Sequence, residues 1–165
     1  MNVEGDVPVD AEARFEVLVG RVEQPLRRAL VAAYGSDAGR EAAAEALAWA
    51  WEHLDRVERM DNPGGYLWRV GQTSVRRGRR WSDRRSDAPV PERAHEDDLP
   101  ADPALRPALD RLSPQQRASV LLVHGWAYPL VDAAAAMGCT TSTLRNHLAR
   151  GLARLQSELG EDPDA

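Results

Sequence analysis

Lysine is missing from this chain of 165 residues, and cysteine, phenylalanine and long apolar runs are scarce. All 21 basic side chains are therefore arginines, whose planar guanidinium can bind two phosphate oxygens at once. The single cysteine, Cys139, cannot form an internal disulfide, which favours a reducing compartment. Runs such as Val120–Val123 fall far short of the roughly 20 apolar residues of a membrane span, so we expect no membrane insertion.

A secretory signal is also missing from the N-terminal residues, which have neither a basic segment nor an apolar one. Those residues are acidic instead and include Glu4, Asp6, Asp10 and Glu12. Together with the lone cysteine, this pattern predicts a cytoplasmic protein.

The formal net charge of -5 hides a basic segment. Residues 62–85 carry seven arginines against one acid, Asp83, whereas acids dominate the N-terminal residues, the middle of the chain and the C-terminal tail. A basic segment within an acidic protein is typical of a directed nucleic-acid contact.

Helix signals dominate the first half of the chain. Apolar residues at three- and four-residue spacing predict a helix over about 15–33, which Pro25 should kink or split. Gly35 should end it, with Ser36 or Asp37 as the next N-cap. An alanine-rich second helix should cover about 39–57. The pair Asn62 and Pro63, an N-cap followed by proline, should begin a third helix that runs to about residue 80.

Periodicity disappears between residues 82 and 103. Four prolines break this stretch and acids charge it, as expected for a flexible connection (Pro89, Pro91, Pro100, Pro103; Glu92, Glu96, Asp97, Asp98). We therefore predict an all-α protein of two small helical lobes joined by an acidic linker, with a three-helix lobe over 1–81, the linker over 82–103, a second lobe over 104–159 and an acidic tail over 160–165. Lobes of this size are small for independent cores.

The second lobe has the pattern of a helix-turn-helix. Ser113 and Gln116 form a predicted capping box with proline between them. Gly138 should end a short helix that begins near Pro129, and residues 140–142 should cap the last helix. In such a motif the second helix enters the major groove, where arginine pairs with guanine and asparagine with adenine. The alternative is that its polar face is merely solvated.

The third helix interleaves aromatic and basic residues. Tyr66, Trp68 and Trp81 stand among arginines, a combination that suits stacking on single-stranded bases and binding of their phosphates. The alternative is that Tyr66 and Leu67 pack in the core and the arginines are merely exposed.

Three segments together resemble one protein family. They are NPGGYLWRVGQTSVRRGRR at 62–80, LSPQQRA at 112–118 and GCTTSTLRNHLARGLARL at 138–155. Their order and spacing resemble the extracytoplasmic-function sigma factors of bacterial RNA polymerase, over about residues 14–80 and 105–157. The resemblance implies that the first lobe is similar to sigma region 2 and the second to region 4.

The resemblance also implies roles for individual residues. The second helix would bind the clamp helices of the largest polymerase subunit through Glu41, Glu45, Trp49 and Trp51. The segment 56–65 and the third helix would read and open the −10 element, through Asn62, Tyr66, Trp68, Arg69, Gln72, Thr73, Arg76, Arg77, Arg79 and Arg80. The second lobe would bind the polymerase flap and read the −35 element, through Thr141, Ser142, Thr143, Arg145, Asn146, His147 and Arg150. An anti-sigma factor is a further partner that the family allows.

The chain departs from the family pattern at three places. Ala44 replaces a glutamine of the polymerase-binding helix, and Thr73 replaces an asparagine after the arginine of the third helix. Ala133–Ala136 occupy positions where bulkier apolar residues are expected. These changes bear on polymerase affinity and −10 preference more than on the fold.

Residues for catalysis, cofactors or metals are not apparent. The four histidines have no metal-ligand spacing with each other or with Cys139. Gly64 and Gly65 lack the lysine of a phosphate-binding loop. The predicted function is promoter recognition and opening as a sigma factor, without enzymatic activity, cofactor or metal. The alternatives are a helix-turn-helix regulator of another class and a sigma-like adaptor that confers no promoter specificity.

Overall fold

The fold is built from helices throughout the residues that the structure, a computed structural model, describes: 9–84 and 105–160. Neither range contains a strand, which confirms the predicted all-α class. The predicted linker, apart from its first residues, and the tail beyond Gly160 lie outside the described residues. The proposed domain boundaries accordingly stay predictions.

The first lobe has a long helix, α1 (Val9–Tyr34), at its centre. Leu18, Val22, Leu26 and Leu30 recur every four residues along α1 and are all buried, so one face of the helix forms the core. The helix continues through Pro25, so the expected split is wrong. Packing of the leucines on either side of the proline offsets the hydrogen bond that proline cannot donate.

A tight turn joins α1 to α2 (Ser36–Glu52). Gly35, at φ 88°, forms that turn and is itself the N-cap of α2, so the predicted cap at Ser36 or Asp37 is wrong. The two helices then pack closely, because α2 presents small residues (Gly39, Ala42, Ala43, Ala46, Ala50).

The predicted second helix is interrupted near its end. It stops at Glu52, and a short helix α3 (Leu54–Glu58) follows after His53, whose Nδ1 lies 2.9 Å from the Trp49 carbonyl oxygen. Arg14 of α1 forms ion pairs with Asp55 and Glu58, and these pairs tie α3 to the long helix.

The predicted third helix is α4 (Pro63–Arg84). The Asn62 side chain accepts a 3.0 Å hydrogen bond from the Gly65 backbone N–H, which confirms the predicted N-cap. Leu67 and Val75 of this helix are buried, while the arginines between residues 76 and 80 face solvent.

The second lobe contains α5 (Arg106–Asp110), α6 (Pro114–Val120), a π-helical turn (Leu121–Gly125), α7 (Leu130–Ala136) and α8 (Thr141–Gly160). The capping box of Ser113 and Gln116 is present at the start of α6, as predicted. Gly138, at φ +58°, reverses the chain between α7 and α8. The helix-turn-helix is therefore confirmed as a structural unit.

The two lobes pack against each other in this structure. Helix α1 contacts α6, α7 and the π-helical turn, and the start of α4 contacts α7. Buried residues of both lobes, from Leu18 to Leu155, form one continuous apolar cluster. Each lobe thus gains from the other the apolar burial that its own small core lacks.

Candidate nucleic-acid interface

The second helix of the helix-turn-helix, α8, is held by a cap and a buried stripe. The Thr140 hydroxyl accepts a 3.2 Å hydrogen bond from the Thr143 backbone N–H and so caps the helix. Leu144 is fully buried, and Gly151 lies against Val120 and Gln116 of α6. These contacts fix which face of α8 is left to solvent.

That open face carries the residues predicted to read the −35 element. Five of them are exposed (Ser142, Thr143, Arg145, Asn146 and Arg150), while Thr141 and His147 are half-buried. Arg145 and Asn146 lie in the first turns of the helix, and Arg150 lies one turn further along it. The surface thus has donors for base edges near its N-terminal end and a cation for phosphate beyond them.

A second basic surface lies on α4. The predicted −10 residues Arg69, Arg76, Arg77, Arg79 and Arg80 are all exposed. A chain of polar contacts holds the middle of the helix: the Thr73 hydroxyl donates to the Arg69 carbonyl oxygen at 3.0 Å, and the Gln72 amide donates to the Tyr34 hydroxyl at 3.3 Å. Thr73 therefore turns its hydroxyl to its own helix.

Trp68, which the sequence predicts to stack on DNA bases, is buried in this structure. The side chain is only 3% exposed, and its ring lies 6.3 Å from that of Tyr34 in the core. The helical period explains why Trp68 is buried. Leu67 and Trp68 both face the other helices, whereas Tyr66 and Arg69 lie at the edge of the buried face.

An aromatic groove between α2 and α4 was not predicted. Trp49 lies 5.2 Å from the Tyr66 ring and stacks on His53 at 4.2 Å. The Arg56 guanidinium lies 5.8 Å and 5.7 Å from the centroids of Trp49 and Tyr66. The groove encloses about 280 Å³ and is also lined by Glu45, Val70, Thr73, Ser74 and Arg77. The four-residue spacing of Glu45, Trp49 and His53, along α2 and at its C-cap, was the available signal.

The residues predicted to bind polymerase fall on two faces of α2. Glu41, Glu45 and Trp49 face α4, and Glu45 accepts a hydrogen bond from the Ser74 hydroxyl. Trp51 lies on the side of α1, with its ring 5.1 Å from that of Phe15, and is 36% exposed. Glu45 and Trp49 therefore share a groove with residues predicted to bind the −10 element.

Two residues of the predicted −10 set touch the helix-turn-helix itself. The Asn62 amide donates to the Ala135 carbonyl oxygen at 2.9 Å, and the Arg69 guanidinium donates to the Gly138 carbonyl oxygen at 3.2 Å. The structure thus brings the start of α4 to the turn before α8. The sequence did not indicate this contact.

The surroundings of Asp55 and Cys139 shift the pKa of each side chain. Hydrogen bonding to Arg14 lowers the pKa of the Asp55 carboxyl, and burial raises the pKa of the Cys139 thiol. Across the described ranges no cluster of histidine, cysteine or acidic residues could hold a metal ion. Among the described helices, none has the length and hydropathy to cross a membrane.

Residues 104–155 match the family model "Sigma-70, region 4". No curated protein matches the chain. Its fold is similar to the sigma factor RpoE from Bartonella quintana, solved in complex with the anti-sigma factor NepR, with a TM-score of 0.58 and 22% sequence identity, over 90% of this chain and 98% of that one.

The match to region 4 covers the helix-turn-helix and its supporting helices. The likeness to RpoE covers both lobes and shows a shared fold. The second lobe therefore matches sigma-70 region 4, and the chain as a whole shares the fold of RpoE.

Proposed function

We propose that this chain, with its sigma-70 region 4 segment and sigma-factor fold, directs RNA polymerase to promoters as a dissociable, non-enzymatic subunit in the cytoplasm. The observation that carries the proposal is that the region 4 match over 104–155 coincides with a capped helix-turn-helix whose polar face is open. A second basic surface on α4 supports a second DNA contact.

The −35 contact would be made by α8. Arg145 and Asn146, exposed in its first turns, would reach base edges in the major groove, and Ser142 and Thr143 lie beside them. Arg150 would bind a phosphate and position the helix.

The −10 contact would be made by α4 and the aromatic groove. Because Trp68 is buried, we propose that Tyr66 and Trp49 offer the aromatic surface for an unpaired base, with Arg56 beside them. Arg76, Arg77, Arg79 and Arg80 would bind the phosphates of the displaced strand.

The clamp helices of the polymerase would bind the rim of the first lobe, and the polymerase flap would bind the second lobe. On α2, Glu41 and Glu45 supply charge, and the exposed Trp51 supplies apolar area beside Phe15. Since the structural neighbour was solved with an anti-sigma factor, we also propose an anti-sigma factor as a partner of this chain.

Run-off transcription tests the proposal directly. Core polymerase would be assayed on a library of randomised promoter templates with and without the chain, and we expect discrete transcripts only when the chain is present. A helix-turn-helix regulator of another class would bind DNA without producing those transcripts. A sigma-like adaptor would bind core polymerase without selecting a template, so either result contradicts the proposal.

The two arginines of α8 are expected to respond differently to substitution. Arg145→Ala should cost about 1–3 kcal/mol of binding and relax preference at one base pair, because it removes a base-edge contact. Arg150→Ala should weaken binding to all DNA sequences alike, because it removes a phosphate contact. It should also reduce the slope of log binding constant against log salt concentration by about one.

Binding curves on single-base variants of a duplex selected from a random pool, at several salt concentrations, measure both effects. Arg154→Ala is a matched control, since Arg154 is an exposed arginine one turn beyond Arg150 and outside the set predicted to bind the −35 element. If Arg145→Ala and Arg150→Ala change the affinities for all duplexes of the panel in the same way, α8 does not read bases where we place it.

A further inference from the structure

The aromatic groove between α2 and α4 continues into a second, larger groove along the same two helices. The aromatic part encloses about 280 Å³ and the adjoining part about 520 Å³, and both are lined by Glu45, Ser74 and Arg77. Buried Ala42 and Val75 form the floor of the adjoining part. Sites for small organic molecules enclose roughly 300–1,000 Å³, so the combined groove has room for a nucleotide.

The aromatic end of the groove suits the stacking of a base. Trp49 and Tyr66 have ring centroids 5.2 Å apart and offer adjacent ring surfaces. The Arg56 guanidinium lies 5.8 Å and 5.7 Å from those two centroids. A planar guanidinium and a planar base use the same kind of aromatic surface. The place that Arg56 takes is therefore one where a base can also lie.

Glu45 places a carboxylate where the two parts of the groove meet. Among the described residues that line the aromatic part, Glu45 alone carries a negative charge. The Ser74 hydroxyl of α4 donates to Glu45 Oε2, which holds the carboxylate at the groove and leaves Oε1 to accept from a bound molecule. The Thr73 hydroxyl donates instead to the Arg69 carbonyl oxygen at 3.0 Å, so it does not compete for Glu45.

A carboxylate at this position distinguishes bases by their edges. An ionised carboxylate can only accept hydrogen bonds. Cytosine, adenine and guanine each have an exocyclic amine that donates, whereas the exocyclic groups of thymine are carbonyl oxygens and a methyl group. The ring N–H of thymine lies between its two carbonyl oxygens, and a carboxylate that approaches it is repelled by both.

We propose that Glu45 is a specificity-determining residue of the aromatic groove. It accepts a hydrogen bond from the exocyclic amine of an unpaired base stacked on Trp49 and Tyr66, and it therefore rejects thymine. The inference rests on the proposed function and deepens its −10 contact, and the role is additional to the polymerase contact of α2. Arg77, which also lines the groove, binds a phosphate of the same strand. Ser74 is a positioning residue, because it acts through Glu45.

Binding of three fluorescein-labelled hexanucleotides to the full chain tests this inference. They consist of deoxycytidine, of deoxythymidine, and of the 2-pyrimidinone deoxynucleoside, which is cytosine without its amine. All three carry the same phosphates, so the attraction of the backbone is equal. By fluorescence anisotropy, we expect a Kd for the cytosine strand about fivefold lower than for the other two. This factor is at the lower end for a base-edge hydrogen bond, because Glu45 is exposed.

Substitutions separate base reading from simple charge. Glu45→Gln should bring the ratio of the thymine Kd to the cytosine Kd to about one, because an amide donates to thymine carbonyls as well as accepting from an amine. Ser74→Ala keeps the carboxylate without its hydrogen bond and should lower that ratio to about twofold.

Glu52→Gln is the matched control for the loss of charge. Glu52 is an exposed glutamate of the same helix and is not among the residues that line the groove. Its substitution removes one negative charge and should change the affinity for all three strands alike, with the fivefold preference for cytosine retained. Circular dichroism checks that each variant keeps its helices.

Three results would overturn the inference. They are equal Kd values of the unsubstituted chain for the three strands, no measurable binding to any of them, and a fivefold preference that survives Glu45→Gln. If both glutamine variants tighten binding to all strands with the ratio unchanged, Glu45 only repels phosphate. Failure of the proposed function is distinguishable, because it appears as absence of run-off transcripts with the unsubstituted chain, whereas the base preference is measured without polymerase.

Discussion

Trp68→Ala is expected to lower the free energy of unfolding by about 3–5 kcal/mol, the cost of removing a large aromatic side chain from a core. The residue is 3% exposed, and its ring packs 6.3 Å from that of Tyr34. Tyr34 belongs to α1 and Trp68 to α4, so closing the cavity left by truncation would require the two helices to move. The effect on DNA opening should follow from lost stability rather than from a lost base contact.

Urea unfolding followed by circular dichroism measures this loss. Trp51→Ala is the matched control, since Trp51 is 36% exposed and has an edge contact with Phe15 at 5.1 Å. We expect it to cost only about 1 kcal/mol. A Trp68→Ala protein as stable as the unsubstituted chain, with a specific defect in strand opening, would restore the base-stacking role that the sequence predicted.

Gly39→Ala is expected to destabilise the first lobe by about 3 kcal/mol. A Cβ at this position would lie 2.4 Å from the Val31 Cα and 2.5 Å from the Val31 nitrogen. Both atoms belong to the backbone of α1, so relief of the clash requires α1 and α2 to move apart. That movement would loosen the contact between the buried alanines of α2 and the long helix. The better helix propensity of alanine recovers only up to about 1 kcal/mol.

The matched control for Gly39→Ala is Gly78→Ala on α4. Nothing lies within 4 Å of a Cβ at position 78, so the substitution should raise the free energy of unfolding by about 0.5–1 kcal/mol. Thermal and urea unfolding of the two variants should show changes of opposite sign in the free energy of unfolding. Equal shifts would mean that α1 and α2 are not packed as closely as described.

Capping residues could be predicted because their hydrogen bonds are local. Ser113 with Gln116, Asn62 with Gly65, and Thr140 with Thr143 each join residues three positions apart. The positive φ of Gly138 is similarly demanded by the turn in which it lies. The pattern failed at Ser36, because the preceding Gly35 adopts the N-cap position and leaves the serine side chain buried.

The exposed faces of α8 and α4 could be predicted in part from periodicity. Leu144 and Leu155 assign the buried side of α8, so Arg145 and Asn146 had to face outward. The same reasoning was not decisive for Trp68, since an aromatic residue among arginines suits both a core and a base-stacking surface. Its burial depends on Tyr34, which is 34 positions earlier in the chain.

The sequence by itself therefore determined the helices, most of their caps, the helix-turn-helix and the basic faces of α4 and α8, because each depends on residues within a few positions of one another. Only the tertiary structure decided how the lobes meet. Arg28 and Tyr128 lie 100 positions apart, and Asn62 and Ala135 lie 73 apart. Such pairs form through the burial of apolar area shared by two lobes and through the close approach that Gly65 and Gly138 allow. No local sequence pattern predicts such pairs.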